Sequence, residues 1–140
     1  MTEEYSQALA QAFPAIEPGV VPLGSRILIQ VRTPITKTKS GIILAPESRD
    51  IEKWTTTVAK VISLGPLAFH NRIDLKLWPE GRWCSEGSYI RAPRYGGDRW
   101  TIPFTTADGG EEEAIFCIIN DLEAIALIVG DPLQVKTYIL

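Results

Sequence analysis

The pattern of residues predicts a mostly β domain built as a small, irregular barrel. Three observations carry that expectation. Short β-type runs recur from Val20 onward, Gly- and Pro-containing turns separate them, and Ile115-Phe116-Cys117-Ile118-Ile119 is apolar at every position. A run apolar on both faces needs cover on both sides, as an enclosed strand would have, and evenly spaced short strands with turn residues between them fit a barrel.

Taken in order, the chain opens with Thr2 to Phe13, where Tyr5, Leu9 and Phe13 fall at i, i+4 and i+8. With a capping Thr, acidic residues in the first turn and Pro14 as a stop, this reads as a short amphipathic helix. Pro14, Pro18 and Pro22 with Gly19 and Gly24 form a stiff linker. The strands expected after it are Ile27 to Val31, Thr56 to Leu64, Tyr89 to Ala92, Trp100 to Phe104, Ala114 to Ile119 and Ile125 to Val129. Turns fall at Gly65-Pro66, Pro79-Glu80-Gly81, Ser85-Glu86-Gly87 and Gly96-Gly97-Asp98. The domain division is an extension over 1–19, a barrel over 20–130 and a second extension over 131–140.

Composition sets limits on function. A chain of 140 residues with 45% apolar and 22% charged residues is an ordinary globular composition with one core. A net charge of −3, from 14 Lys+Arg against 17 Asp+Glu, gives no long-range field toward nucleic acid or anionic lipid. Glu3 and Glu4 stand where a secretory signal would need positive charge, and no apolar run approaches the ~18 residues of a membrane span. The chain therefore reads as cytoplasmic. Cys84 and Cys117 lack the close pairing of a metal or redox motif and read as buried thiols. His70 has no Cys or carboxylate at ligand spacing and reads as a loop residue. Glu111-Glu112-Glu113 reads as a solvated hairpin tip. No phosphate-cradling loop, nucleophile elbow or dinucleotide fingerprint is present, so neither an enzymatic activity nor a bound cofactor or metal is expected.

The most informative feature is the polar stretch from Thr33 to Trp54, which holds one bare apolar step, Gly41-Ile42-Ile43-Leu44. A strand ending at Val31 runs straight into it. Three large aliphatic residues led by a Gly, in a segment too polar to pack, suit an adhesive tip on a flexible arm; the plain alternative is a short strand between two loops.

The order of these pieces resembles the bacterial co-chaperonin family of the GroES type. Pro22-Leu23-Gly24-Ser25-Arg26 with Ile27-Leu28-Ile29 is similar to that family's opening, and Gly41-Ile42-Ile43-Leu44 to the tip of its mobile loop. Thr57 to Gly65 is similar to its strand ending in Gly, and Glu86-Gly87-Ser88-Tyr89-Ile90 to a later turn and strand. Asn120 to Ile128 resembles its closing acidic turn and apolar strand. The resemblance covers roughly 20–130, and looks most like the divergent co-chaperonins carried by bacterial viruses. Residues 1–19 and 131–140 have no counterpart. The segment 65–83 is longer and more apolar than usual, and Leu67, Phe69, Leu75, Leu77 and Trp78 either roof a chamber or pack down on their own barrel.

The resemblance implies a homo-oligomeric, sevenfold ring that caps an ATP-driven GroEL-type chaperonin, with ATP bound by that partner and unfolded client proteins enclosed. The mobile loop would be about 33–53, with Gly41, Ile42, Ile43 and Leu44 on the chaperonin. Opening and closing strands of neighbouring subunits would pair, through Leu23, Ile27 and Ile29 on one side and Ile125, Leu127 and Val129 on the other. Loop energetics agree with a ring. Burying each of the three aliphatic tip residues is worth about 1.5–3 kcal/mol. Ordering about ten flexible residues costs roughly 1–2 kcal/mol apiece, so one loop binds negligibly and several on one scaffold bind usefully.

Two other function classes fit parts of the chain. Arg91, Arg94, Tyr95, Arg99 and Trp100, with Arg82 and Trp83 nearby, interleave cations and aromatics on a small barrel, as a single-stranded nucleic-acid module does. The acidic balance opposes that. The amino-terminal part of medium-chain alcohol dehydrogenases shares this type of fold, but this chain lacks the zinc ligands and the nucleotide half.

Overall fold

A computed structural model describes residues 3–33, 57–94, 96–106 and 109–134. The expected helix is α1, Glu3–Ala12, and the six strands are β1 (Arg26–Val31), β2 (Val58–Leu64), β3 (Tyr89–Arg91), β4 (Asp98–Thr105), β5 (Glu111–Asn120) and β6 (Ala126–Leu127). All pairings are antiparallel, in the order β4-β5-β1-β2-β3-β6. β4 and β6 are the two ends of the sheet. It nonetheless wraps round one main core: Ile27 and Ile29 of β1, Val61 of β2, Ile90 of β3 and Ile115, Cys117 and Ile119 of β5 share one buried cluster. Strands as far apart in the order as β5 and β3 meet in that cluster only if the sheet curls, which is how a small β fold hides its apolar face.

The uniformly apolar run in β5 is enclosed on both sides, as its composition requires. Ile115, Cys117 and Ile119 enter the main core. Ala114 and Phe116 turn the other way, to Leu28 and to Trp100, Ile102 and Phe104 of β4. Glu111-Glu112-Glu113 does not form the hairpin tip. The triplet extends β5, opposite Thr105, Phe104 and Pro103, and the tip lies before it, closed by the Thr106 N–H donating to the Gly110 carbonyl at 2.7 Å. The β4–β5 ladder is long enough to recruit the acidic residues.

The β1–β2 ladder carries a bulge, since Leu28 faces Ser63 while Ile29 faces Val61. The extra residue, Ile62, lets Leu64 join Ala59 and Val61 on the core side. At the end of β2, Gly65 sits where a Cβ would lie 2.8 Å from the Arg26 carbonyl oxygen and closer still to that of Gly24, so no larger residue fits. Its own N–H donates to Arg26 O at 2.8 Å, locking the strand end to the start of β1.

Part of the segment 65–83 packs down on its own barrel and part is exposed. Ala68 and Phe69 enter the main core, and Trp78 and Trp83 pack against it. Between them a hairpin projects, held by the Trp78 N–H to Phe69 O at 2.9 Å and the Asn71 N–H to Lys76 O at 2.7 Å. It presents Ile73, Leu75 and Leu77 to solvent.

Helix α1 lies against the outside of the barrel. Leu9, Ala12 and Phe13 pack with Val58, Tyr89, Ile128 and Leu133, and the Phe13 and Tyr89 rings are 5.1 Å apart. The i, i+4 spacing explains Leu9 and Phe13. Tyr5, one turn earlier, uses its hydroxyl instead, donating to Asp131 Oδ1 at 2.8 Å.

Candidate functional site

Large apolar residues left in water are the strongest pointer to what a β domain of this kind engages, when they form strips rather than isolated points. Among the described residues they fall in three places. Val20, Val21 and Leu23 precede β1; Leu122, Ile125, Leu127 and Val129 flank β6; and Ile73, Leu75 and Leu77 occupy the hairpin. Val21 is 74% exposed and Val129 is 91% exposed, values that burial in a core of their own does not explain.

The strip at β6 adjoins a groove of about 310 Å³ lined by Trp83, Cys84, Ile90, Ala124, Ile125, Ala126 and Leu127. Beside the groove β6 is only two residues long and, among the described residues, pairs with β3 alone. The Ile125 and Ile128 N–H groups donate to the Arg91 and Tyr89 carbonyls at 2.9 and 2.8 Å, which holds this end of the chain against β3. Its far edge carries no strand among the described residues. The other edge of the sheet is different in kind, because β4 contains Pro103, which cannot donate to a further ladder.

The six residues expected at an inter-subunit contact separate into two groups. Leu23, Ile125, Leu127 and Val129 are exposed. Ile27 and Ile29 are completely buried, and β1 has β2 on one side and β5 on the other, so that strand has no edge to offer a second copy. The apolar character of β1 serves its own core; the residues just before it supply the free surface. Gly41, Ile42, Ile43 and Leu44 lie outside the described residues.

Nor does the fold assemble the cation–aromatic set. Arg99 and Trp100 are neighbours on β4 and point to opposite faces. Arg99 reaches Cys117, which belongs to the main core, whereas Trp100 stacks on Phe116 at 6.0 Å in the cluster on the far side. Arg91 donates to Thr57 Oγ1 at 3.2 Å, Arg94 is half-buried, and Tyr95 lies outside the described residues. Arg82 is exposed, but Trp83 packs on Trp78 at 4.9 Å and donates from Nε1 to Glu80 at 2.7 Å. A nucleic-acid platform needs its rings uncovered on the face that carries the cations, and Trp100 and Trp83 are engaged elsewhere.

Both thiols are buried and free. Burial pushes the Cys84 thiol up to about 11, and burial also raises Cys117, with Arg99 opposing. Such thiols are inert at neutral pH. His70 sits in the hairpin, its Nδ1 2.8 Å from the Ala68 carbonyl oxygen. Among the described residues no group of His, Cys, Asp and Glu side chains is arranged to hold a metal ion, and no helix is long and apolar enough to cross a membrane.

Sequence reasoning gave Asp121 no role beyond membership in an acidic turn. Its side chain is buried, accepting the Phe69 N–H at 2.9 Å and the Leu122 N–H at 2.7 Å, and its own N–H donates to Ser25 O at 3.0 Å. One residue thus joins the hairpin segment, the start of β1 and the approach to β6. An Asp between Asn and Leu gives no local sign of such a role, since its partners are far away in sequence.

Residues 19–81 match the model of the family described as Chaperonin 10 Kd subunit. The match begins just before the exposed Val20–Leu23 strip, spans β1, β2 and the hairpin, and ends before β3. No curated protein matches the chain. The family match supports a co-chaperonin role in general terms and agrees with the small, mostly β fold.

Proposed function

We propose that this chain is the subunit of a co-chaperonin that closes into a homo-oligomeric ring of seven and caps an ATP-driven GroEL-type chaperonin, enclosing unfolded client proteins. The ATP belongs to the partner, and this chain has no enzymatic role. The observation that carries the reading is the coincidence, in one chain, of the family match with two exposed apolar strips, one at the start of the matched residues and one beyond them at β6. Two different strips on one subunit are what a head-to-tail ring requires, because each interface then uses one strip from each neighbour.

In this ring the strip Val20–Leu23 of one subunit lies along the free edge of β6 in the next, and its apolar side chains fill the groove beside Trp83 and Leu127. That contact removes an exposed strand edge, which favours assembly over aggregation. The segment 33–53 engages the chaperonin through Gly41, Ile42, Ile43 and Leu44. Its composition supports this role, with Thr, Lys and Ser residues around one aliphatic triplet. The site of action is the cytoplasm, that of a bacterial host where the chain is carried by a virus. Nucleic acid and membrane have no part in the activity.

Native mass spectrometry together with a chaperonin ATPase and refolding assay tests the proposal. The expected result is one closed oligomer with the mass of a heptamer that inhibits the ATPase and supports refolding. A stable monomer at micromolar concentration overturns the ring, and an oligomer without effect on either activity overturns the cap.

A further inference from the structure

The two terminal extensions converge on one place, the pair of chain positions at which the segment 34–56 leaves and rejoins the barrel. At the outgoing root the Thr33 N–H donates to Ala12 O at 2.8 Å, at the C-terminal end of α1. One residue earlier, Arg32 is buried and its Nη1 donates to Pro132 O at 2.7 Å, in the C-terminal extension. Gln30, also buried, donates from Nε2 to Pro14 O at 2.7 Å. At the returning root, Val58 is completely buried among Leu9, Ala12, Phe13 and Leu133. The roots are tied to each other by the Arg32 N–H to Val58 O at 2.9 Å. The extensions in turn are tied together by Tyr5 and Asp131 at 2.8 Å, with the Leu133 N–H on the same carboxylate oxygen at 2.9 Å.

We propose that residues 3–14 and 131–134 form a collar that fixes both roots of the segment 34–56 and acts as a positioning element for chaperonin engagement. The second part rests on the functional reading above. The physical argument is one of preorganisation. Polar side chains such as Gln30 and Arg32 enter a buried site only with partners, and here the partners are backbone carbonyls of the two extensions. A barrel without the extensions would leave these groups, and the apolar Val58, facing water at the point where the segment departs. Holding the roots narrows the directions from which the segment starts, so less orientational freedom is lost on docking. In a ring the gain recurs at every subunit.

The test uses the full chain. Phe13→Ala removes the ring that packs on Tyr89 and beside Val58, and Phe13→Leu is the conservative control. Three measurements are made: amide exchange at Thr33 compared with Ile29, oligomer mass, and the concentration giving half-maximal inhibition of a GroEL-type chaperonin's ATPase. In Phe13→Ala we expect Thr33 to exchange at least tenfold faster while Ile29 is unchanged. The oligomer mass should stay constant and the half-maximal concentration should rise at least tenfold, with Phe13→Leu restoring most of both. Unchanged exchange at Thr33 overturns the collar, and faster exchange with an unchanged half-maximal concentration overturns its positioning role. If Phe13→Ala fails to fold, the double variant Tyr5→Phe with Asp131→Ala decides by the same readouts, with at least threefold changes expected. A wild-type chain that never inhibits the chaperonin overturns the functional reading and the positioning role with it, whereas the exchange measurement judges the collar independently.

Discussion

The carboxylate of Asp121 accepts the backbone N–H of Phe69 at 2.9 Å, across 52 residues of chain. Phe69 has φ 65°, a left-handed conformation that costs a bulky residue of order 1–3 kcal/mol. The surroundings over-determine it. Its N–H is held by Asp121, its carbonyl by the Trp78 N–H, and its ring is completely buried edge-on to Trp78 at 5.5 Å. The strained residue turns the chain from the end of β2 into the hairpin, and the Asp121 hydrogen bond is one of the three restraints that hold that turn.

Replacing Asp121 by Ala should therefore lower stability by about 1–3 kcal/mol, the cost of stranding buried donors. Asp121→Asn keeps one of the two acceptor oxygens, enough for the Phe69 N–H or the Leu122 N–H but not both, and should lose an intermediate amount. Denaturant unfolding with unchanged slope is the measurement, and equal losses for the two variants would contradict the assigned role.

The buried Cys84 thiol makes a prediction in pH. Its folded value is raised to about 11 by burial, above that of an exposed thiol, so the folded state holds a proton that the unfolded state has already lost. The contribution is fully present below the unfolded value and is lost as pH rises toward about 11. Cys117, raised in the same direction, adds to the fall. Unfolding free energy should decline between about pH 9 and 11, less steeply in Cys84→Ala. The wild-type thiols should resist alkylation at pH 8 until the protein is unfolded.

Ring closure is open to a charge placed on either strip. Leu127→Lys and Val21→Lys each put an ammonium into the proposed interface while altering a side chain exposed in the subunit, so folding stability should shift by no more than about 0.5 kcal/mol. Native mass spectrometry should show monomers for both. Retention of the full ring by both variants would exclude these strips as the interface.

The aliphatic triplet is tested by contrast. Ile43→Ser should leave the ring and its unfolding midpoint in place and abolish inhibition of the chaperonin ATPase, because about 2 kcal/mol of burial is lost at every loop that engages. Ile29→Ser places a hydroxyl at a completely buried core position and should destabilise the barrel by about 3–5 kcal/mol. If Ile43→Ser unfolds the protein, the triplet belongs to the core.

What the sequence determined by itself was local. Tyr5, Leu9 and Phe13 at helical spacing, Pro14 as a stop, and alternating or continuous apolar runs bounded by Gly and Pro specified α1 and all six strands, because helix and strand periods are properties of neighbouring residues. The double-sided burial of β5 was legible for the same reason. Tertiary structure decided everything that depends on who pairs with whom. An apolar strand reads the same whether its edges are filled by its own chain or by a neighbour, and only the pairing of β1 with β2 and β5 shows that its own chain flanks Ile27 and Ile29. Likewise, whether Phe69 and Leu75 share a fate depends on which side of a hairpin meets the core. Asp121 and the collar at Thr33 and Val58 join residues tens of positions apart, and composition carries no record of such distances.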